Sequence, residues 1–240
     1  MAWFFSETEI LNDNYLFSGD AAKHIRVLRL REGEPLTIVT PSGEQCEAVL
    51  TGSAADAASA RIVSRRPCEN EPDVFVTLYQ ALPKGDKMDF IVQKCVELGV
   101  SRIVPMLTAR CVSRPDAKAL TKKRDRWQKI ALQAAMQSRR GIIPTVEDCV
   151  SFAQATEAAQ ANDRNLFFYE MGGASVRTLL TGKPKTVGMF IGSEGGFEEA
   201  EAARAIAQGA QAATLGKRIL RAETAPLAAL SIIMYQTDNF

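Results

Sequence analysis

The sequence predicts an α/β protein: a mainly parallel sheet with helices between its strands, preceded by a small β-barrel. Three observations lead there. From residue 73 onward, short apolar runs alternate with helix-like segments, the pattern of strands joined by crossover helices. Before about residue 70, short strand-like runs are separated by turns. Between these parts lies Arg65-Arg66-Pro67-Cys68-Glu69-Asn70-Glu71-Pro72, charged and bracketed by prolines, which reads as a linker. The expected domains are therefore 1–72 and 73–240.

In chain order, Asp20-Ala21-Ala22-Lys23-His24-Ile25 predicts one or two helical turns leading into Val27-Leu28-Arg29. Residues 35–40 and 44–50 read as strands around the turn Pro41-Ser42-Gly43, and 60–63 as a further strand. In the second part, 74–79 is a strand, 88–98 a helix, 103–106 a strand and about 118–139 a long helix. Residues 166–169 and 186–191 are short apolar strands with helical sequence between and after them. The segment 225–237 is apolar nearly all round, so the helix it predicts is buried, within its own domain or against a second subunit.

The bulk numbers mostly exclude. A chain of 240 residues, 46% hydrophobic, can build one large domain or two modest ones. A net charge of +1 says nothing of partners. No apolar run is long enough to span a bilayer, and the first ten residues lack the pattern of a secretion signal, so a cytoplasmic protein is expected. Cys46, Cys68, Cys95, Cys111 and Cys149 are scattered, odd in number and without a C-x-x-C pair, which fits a reducing compartment. His24 is the only histidine, and nothing around it reads as a triad or a ligand set, so no metal is expected. There is no Walker A sequence and no G-x-G-x-x-G.

Charge is uneven, however. Residues 110–140 hold Arg110, Arg114, Lys118, Lys122, Lys123, Arg124, Arg126, Lys129, Arg139 and Arg140 against only Asp116 and Asp125. Such a stretch is either a solvated helix face or a polyanion-binding surface, and its density favours nucleic acid.

Two glycine-bearing segments carry the chemistry. Phe190-Ile191-Gly192-Ser193-Glu194-Gly195-Gly196-Phe197 follows an apolar strand and precedes a helix. Glycine permits positive φ there and lets a ligand approach the backbone. Glu194, Glu198 and Glu199 argue against an anion at this turn and suit a sulfonium or a ribose hydroxyl; an ordinary strand-to-helix turn is the plainer alternative. Leu215-Gly216-Lys217-Arg218-Ile219-Leu220-Arg221-Ala222-Glu223-Thr224-Ala225 ends a second strand. Ile219 and Leu220 are apolar residues in a cationic loop and could wall an adenine, while Thr224 with Pro226 is a plausible helix start.

Together the two segments, "G-x-E-G-G-F" followed by "L-G-x-R-I-L-R-x-E-T-A", resemble the RsmE family of SPOUT-class RNA methyltransferases. The resemblance extends to Leu82-Pro83-Lys84-Gly85-Asp86-Lys87-Met88, to Gln93-Lys94-Cys95-Val96-Glu97-Leu98-Gly99-Val100 and to Gln137-Ser138-Arg139-Arg140. The stretch 20–31 resembles the family's N-terminal "H-x-x-x-V-L-R". Met136 stands where the family usually has glutamate, and Ala2 and Trp3 where it has basic residues.

The resemblance implies a PUA-like N-terminal barrel for RNA, a SPOUT domain with a C-terminal trefoil knot, and a homodimer. It implies S-adenosylmethionine as cofactor, and as reaction the methylation of N3 of one uridine in the 16S RNA of the small ribosomal subunit. Ile191, Gly192, Glu194, Gly195, Gly196, Leu215, Gly216, Arg218, Ile219, Leu220, Thr224 and Ala225 are then the cofactor-binding candidates. Arg221, Glu223 and Glu194 are the catalytic candidates, the arginine to stabilise developing negative charge and a carboxylate to take the N3 proton. Lys23, Arg26, Arg29, Lys84, Arg110, Lys122, Lys123, Arg124, Arg139 and Arg140 are the RNA-binding candidates. Competing readings are a ribose 2′-O-methyltransferase of the same superfamily, whose asparagine-rich motif is missing here, and a non-catalytic RNA-binding or ribosome-assembly protein.

Overall fold

A computed structural model describes residues 1–54 and 56–240. The chain forms two compact units, Met1–Glu71 with Ala135–Ile143, and Pro72–Ala134 with Pro144–Phe240.

The first unit is built on β1 (Ala2–Phe5), β2 (Asn14–Ser18), α1 (Gly19–Val27), β3 (Pro35–Val39), β4 (Glu44–Ser53) and β5 (Ala57–Pro67). The strand order is β1-β3-β4-β5-β2, with β1 parallel to β3 and the other pairs antiparallel. The turn from β3 to β4 is the one the Ser-Gly pair predicts, with the Gly43 N–H on the Thr40 carbonyl at 2.9 Å and a φ of 81° at Gly43. Register shifts at Glu47/Ala48 and Leu50/Gly52 bend β4 against β5. The sheet curls enough that Phe4 on one edge strand meets Phe17 on the other, ring centroids 5.1 Å apart. α1 lies against this interior with Ala22 and Ile25.

The structure corrects the linker. Arg65, Arg66 and Pro67 belong to β5, paired with Cys46, Gln45 and Glu44. Arg65 is bonded to the Ile10 and Asn12 carbonyls at 2.6 and 2.9 Å. The local composition suggested a linker because Arg66 is exposed and Arg65, on the opposite face, is only partly covered, with the proline at the strand's end, where no further ladder N–H is required.

The segment 135–143 is held within the first unit by an anion. Glu71 accepts from Arg140 Nε and Nη2 at 2.9 and 2.7 Å, and from the Gly141 and Ile142 N–H groups at 2.6 and 3.2 Å. The Trp3 indole donates to the Arg140 carbonyl at 3.0 Å. The arginine side chain is only 4% exposed.

The second unit contains β6 (Phe75–Ala81), α2 (Lys87–Glu97), β7 (Arg102–Leu107), α3 (Ala117–Gln137, its last turn in the first unit), β8 (Thr145–Val146), β9 (Val150–Ser151) and α4 (Phe152–Ala158). Then follow β10 (Arg164–Phe168), β11 (Ala174–Ser175), α5 (Val176–Leu179), β12 (Thr186–Ile191), α6 (Glu199–Ala207), β13 (Gln211–Thr214) and α7 (Ala225–Gln236). The strand order is β11-β13-β10-β12-β6-β7-β8, with β9 also on β7. Every pairing is parallel, which is why these strands read as continuous apolar runs rather than alternating ones. Tyr79 stacks on Phe190 at 4.5 Å, and Phe152, Phe167 and Phe197 complete an aromatic cluster beside them. α7 packs on α2 and β12, burying Ala229, Leu230, Ile233 and Met234, while Ile232 and Tyr235 stay exposed.

Glu71→Ala removes the carboxylate that accepts from Arg140 Nε and Nη2 and from the Gly141 and Ile142 N–H groups. Loss of one partner of such a pair costs about 3 kcal/mol, to be seen as a lower urea midpoint at unchanged denaturant slope. An unchanged midpoint would show that water replaces the carboxylate at no cost.

Candidate functional site

β13, β10 and β12 are neighbours and run in the same direction, so the loops that leave them meet at one edge of the sheet. These loops, 169–173, 192–198 and 215–224, enclose a cavity of about 760 Å³ together with Lys87 at the start of α2. That volume suits a small organic ligand.

The middle loop is pinned at both ends. Ile191 is buried in β12, and Phe197 is buried against Phe167 with ring centroids 4.4 Å apart. Between them the Gly196 N–H returns to the Ser193 carbonyl at 2.9 Å, closing a tight turn. Gly196 has φ 68°, and a Cβ there would stand 2.6 Å from Glu170 Oε1, so a side chain at this position would be strained in its backbone and would displace the Glu170 carboxylate. Arg110 clasps the turn from outside: Nη1 donates to the Gly195 carbonyl at 3.0 Å and lies 3.8 Å from Glu170. Beyond the turn, Glu198 and Glu201 form the capping box that starts α6.

Lys87 joins this loop to the third one. Its ammonium lies 2.9 Å from Glu194 Oε1 and 3.1 Å from Glu223 Oε2. The Lys84 N–H also donates to the Glu194 carboxylate, at 3.1 and 3.3 Å to the two oxygens. Burial pushes the Glu194 carboxyl up, but Lys87 and the Glu194 and Lys84 N–H groups outweigh it and hold the group below the ordinary range. Glu223 is also held low, by its own N–H and then by Lys87. Hydrogen bonds to Glu194 and then Glu223 raise the Lys87 ammonium in turn. All three groups are therefore charged at neutral pH.

The third loop turns at Gly216, whose N–H donates to Thr214 Oγ1 at 3.1 Å. Lys217, Arg218 and Arg221 are exposed. Ile219 is 87% exposed and lines the cavity beside Leu220, an apolar wall next to cations. The Arg221 carbonyl accepts the Thr224 and Ala225 N–H groups, each at 2.9 Å, and so opens α7. Thr224 stands at the helix start with Pro226 just inside, but its side chain caps nothing.

Of the residues singled out from sequence for this site, Ile191, Gly192, Glu194, Gly195, Gly196, Leu215, Gly216, Arg218, Ile219, Leu220, Arg221 and Ala225 all line the cavity. Thr224 and Glu223 do not; Glu223 meets Lys87 instead. Sequence reasoning missed Lys87 and Glu170. Lys87 sat unassigned in the Leu82–Met88 stretch, and Glu170 lies just beyond the apolar run 166–169, followed by Gly172-Gly173, a turn signal of the kind used elsewhere.

The cations picked for RNA have different surroundings. Arg140 is a correction: it is buried and spent on Glu71, so it offers no phosphate contact. Arg110 is turned toward Gly195, and Arg124 sits beside Asp125 and Asp148 at 3.0 and 3.6 Å. Lys123 lies over the Trp127 ring, and Lys23 pairs with Asp20 at 3.4 Å. Arg26, Arg29, Lys84, Lys122 and Arg139 have exposed side chains. Among the described residues, no group of three or more His, Cys, Asp or Glu side chains is placed to hold a metal, and no helix is long and apolar enough to cross a membrane.

The Lys87 cluster has a pH window. The lowered carboxyls stabilise the fold above about pH 4.3, their unfolded value, and lose that contribution as pH falls through their folded values. The raised ammonium contributes fully below about pH 10.4 and loses it as pH rises further. The difference in melting temperature between wild type and Lys87→Met should be level from about pH 5 to 10 and shrink in acid. A difference that instead changes between pH 6 and 8 would assign these charges wrongly.

Comparison with known proteins shows the family of the chain. Residues 70–234 match the RNA methyltransferase domain family. The chain is 36% identical over 232 residues to the ribosomal RNA small subunit methyltransferase E of Bacillus subtilis (strain 168), covering 93% of this chain and 91% of that one. The protein of the same name from Synechocystis sp. is 35% identical over 214 residues, covering 87% of this chain and 68% of that one. The crystal structure of the ribosomal RNA small subunit methyltransferase E of Neisseria gonorrhoeae, bound to S-adenosyl methionine, matches with TM-score 0.89 and 33% identity over 98% of this chain and 97% of that one. With two thirds of its length matched by that family and near full-length relatives at this identity, the chain belongs to the RNA methyltransferase family, in the group of ribosomal RNA small subunit methyltransferase E.

Proposed function

We propose that this chain is an S-adenosylmethionine-dependent methyltransferase of small-subunit ribosomal RNA, and that its target is N3 of one uridine in 16S RNA. The observation that carries this reading is the cavity at the carboxyl edge of β12, β10 and β13. Its residues fit the cofactor. Ile219 and Leu220 offer an apolar wall for a ring, the Gly192–Gly196 backbone allows close approach, and Glu170 and Glu194 provide negative charge near a sulfonium. Ile191, Leu215, Gly216, Arg218 and Ala225 complete the proposed cofactor site, with Thr224 behind them at the helix start.

When bound, S-adenosylmethionine supplies an electrophilic methyl group by direct displacement at carbon. The chain's residues must then orient uracil and absorb the negative charge that appears when the N3 proton leaves. Arg221, exposed on the cavity wall, is the proposed partner of a uracil carbonyl oxygen. Glu194 and Glu223, the acceptors expected from the sequence, are both held below the ordinary carboxyl range, Glu194 against its burial by Lys87 and backbone N–H groups, and Glu223 by its own N–H and then Lys87. Both are therefore weak bases at neutral pH, and loss of the N3 proton to water is proposed instead. N3 lies on the pairing edge, so the uridine must be unpaired or flipped to reach the cavity.

The rest of the reading is proposed with it. The first unit is a PUA-like RNA-binding barrel, with Lys23, Arg26, Arg29 and Arg139 as contacts. The loops of the cavity belong to a trefoil knot. The protein is a cytoplasmic homodimer, with the exposed Ile232 and Tyr235 of α7 as candidate contacts. On α3, Lys118, Lys122 and Lys129 are spaced by four and seven residues, share one helix face and are exposed, a stripe suited to successive phosphates.

Calorimetry should show S-adenosylmethionine binding without added metal, and Gly196→Val should abolish it in a protein that still folds. Mapping of modified nucleosides by mass spectrometry in a deletion strain should lose one N3-methyluridine from 16S RNA. Wild-type protein that binds no cofactor, or a strain that keeps the nucleoside, would end this reading. RNA binding should weaken with salt at a log–log slope of about −0.7 per neutralised phosphate. Reversing Lys118, Lys122 and Lys129 to glutamate should flatten that slope while cofactor affinity holds; an unaltered slope would move the RNA elsewhere.

A further inference from the structure

Lys87 is the first residue of α2, where a cation faces the positive end of the helix dipole. The local sequence gives it no advantage there; its compensation is tertiary. Its ammonium lies between Glu194 of the loop after β12 and Glu223 of the loop before α7, at 2.9 and 3.1 Å. Among the described residues no other ion pair joins these two loops. The two carboxylates are not equally secured. Glu194 also holds the Lys84 N–H, whereas for Glu223 the lysine is, among the described residues, the one oppositely charged group within ion-pair distance. Without the ammonium the two anions would face each other uncompensated, and the Glu223 side of the cavity would be the side that moves.

We propose that Lys87 is a positioning residue: its ammonium bridges Glu194 and Glu223 and sets the spacing of the two loops between which the cofactor binds. The inference rests on the proposed function of that cavity. It makes the two carboxylates anchors of the loops rather than proton acceptors. Arg221, two residues from Glu223, takes its place on the wall from the same anchor.

The test compares Lys87→Met, Lys87→Arg and Glu223→Gln with wild type. In cofactor-free protein, hydrogen exchange over 215–224 should quicken in Lys87→Met and Glu223→Gln and stay near wild type in Lys87→Arg. Calorimetric affinity for S-adenosylmethionine should fall about tenfold in the first two variants, and the double variant should be no worse than either alone, as for two partners of one interaction. In turnover, KM for the cofactor should rise by the same factor while kcat stays within about threefold, and the pH profile of kcat should be the same in Glu223→Gln as in wild type. Wild type that fails to bind cofactor overturns the function of the cavity rather than the bridge. Wild-type binding with unchanged exchange and affinity in Lys87→Met overturns the bridge. If Lys87→Met does not fold, Glu223→Gln decides: normal affinity and exchange there overturn it. A kcat profile that loses a titration in Glu223→Gln makes that glutamate a base and overturns the anchoring role.

Discussion

Parallel pairing of β12, β10 and β13 forces three chain reversals onto one edge of a sheet, because each parallel strand must be re-entered from the far end. The loops that follow these strands therefore converge without any of them encoding the others' position. Everything in the site depends on that edge. The aromatic packing of Phe167, Phe190 and Phe197 fixes the strands and the end of the middle loop, so that the turn at Gly196 opens toward the cavity rather than away from it. Glu170 can stand against that glycine only because the two strands that deliver them are adjacent.

Charge then does what packing cannot. The loops are too polar to be held by burial alone, and they are tied by ion pairs and backbone acceptors: Arg110 on the Gly195 carbonyl and near Glu170, Lys87 on Glu194 and Glu223. The same solution appears in the first unit, where Glu71 gathers a guanidinium and two backbone N–H groups to fasten 135–143. In both cases a charge removed from bulk water is matched by an opposite charge and by hydrogen bonds. The difference is in degree of burial. The Arg140 pair is closed off and structural, while the Lys87 cluster remains part-exposed beside a cavity, where its spacing can matter to a ligand.

Much of this was legible in the chain. The apolar runs 74–79 and 186–191, the helix 88–98 and the apolar helix at the C-terminus all appear within a residue or two of their expected places, because periodicity and turn chemistry are local properties. The two glycine segments were legible as loops for the same reason: glycine after an apolar strand is a statement about backbone φ that needs no distant partner, and both loops line the cavity. The failures are also physical. Arg65 and Arg66 looked like linker because charge suggests exposure, whereas here the end of a paired strand carries both and Arg65 is turned onto the Ile10 and Asn12 carbonyls.

The sequence by itself determined the element types, the positions of the glycine loops that line the cavity and the class of the protein, since each is written in residues close together along the chain. Only the tertiary structure decided which charges do what. Lys87 and Glu194 are 107 residues apart, and Arg140 and Glu71 are 69 apart. Arg140 and Lys122 look alike in a basic stretch, yet one is sealed on a carboxylate and the other faces water. A charged side chain takes its role from the opposite charge that the fold brings to it, and that partner is set by strand order and loop convergence rather than by neighbours in sequence.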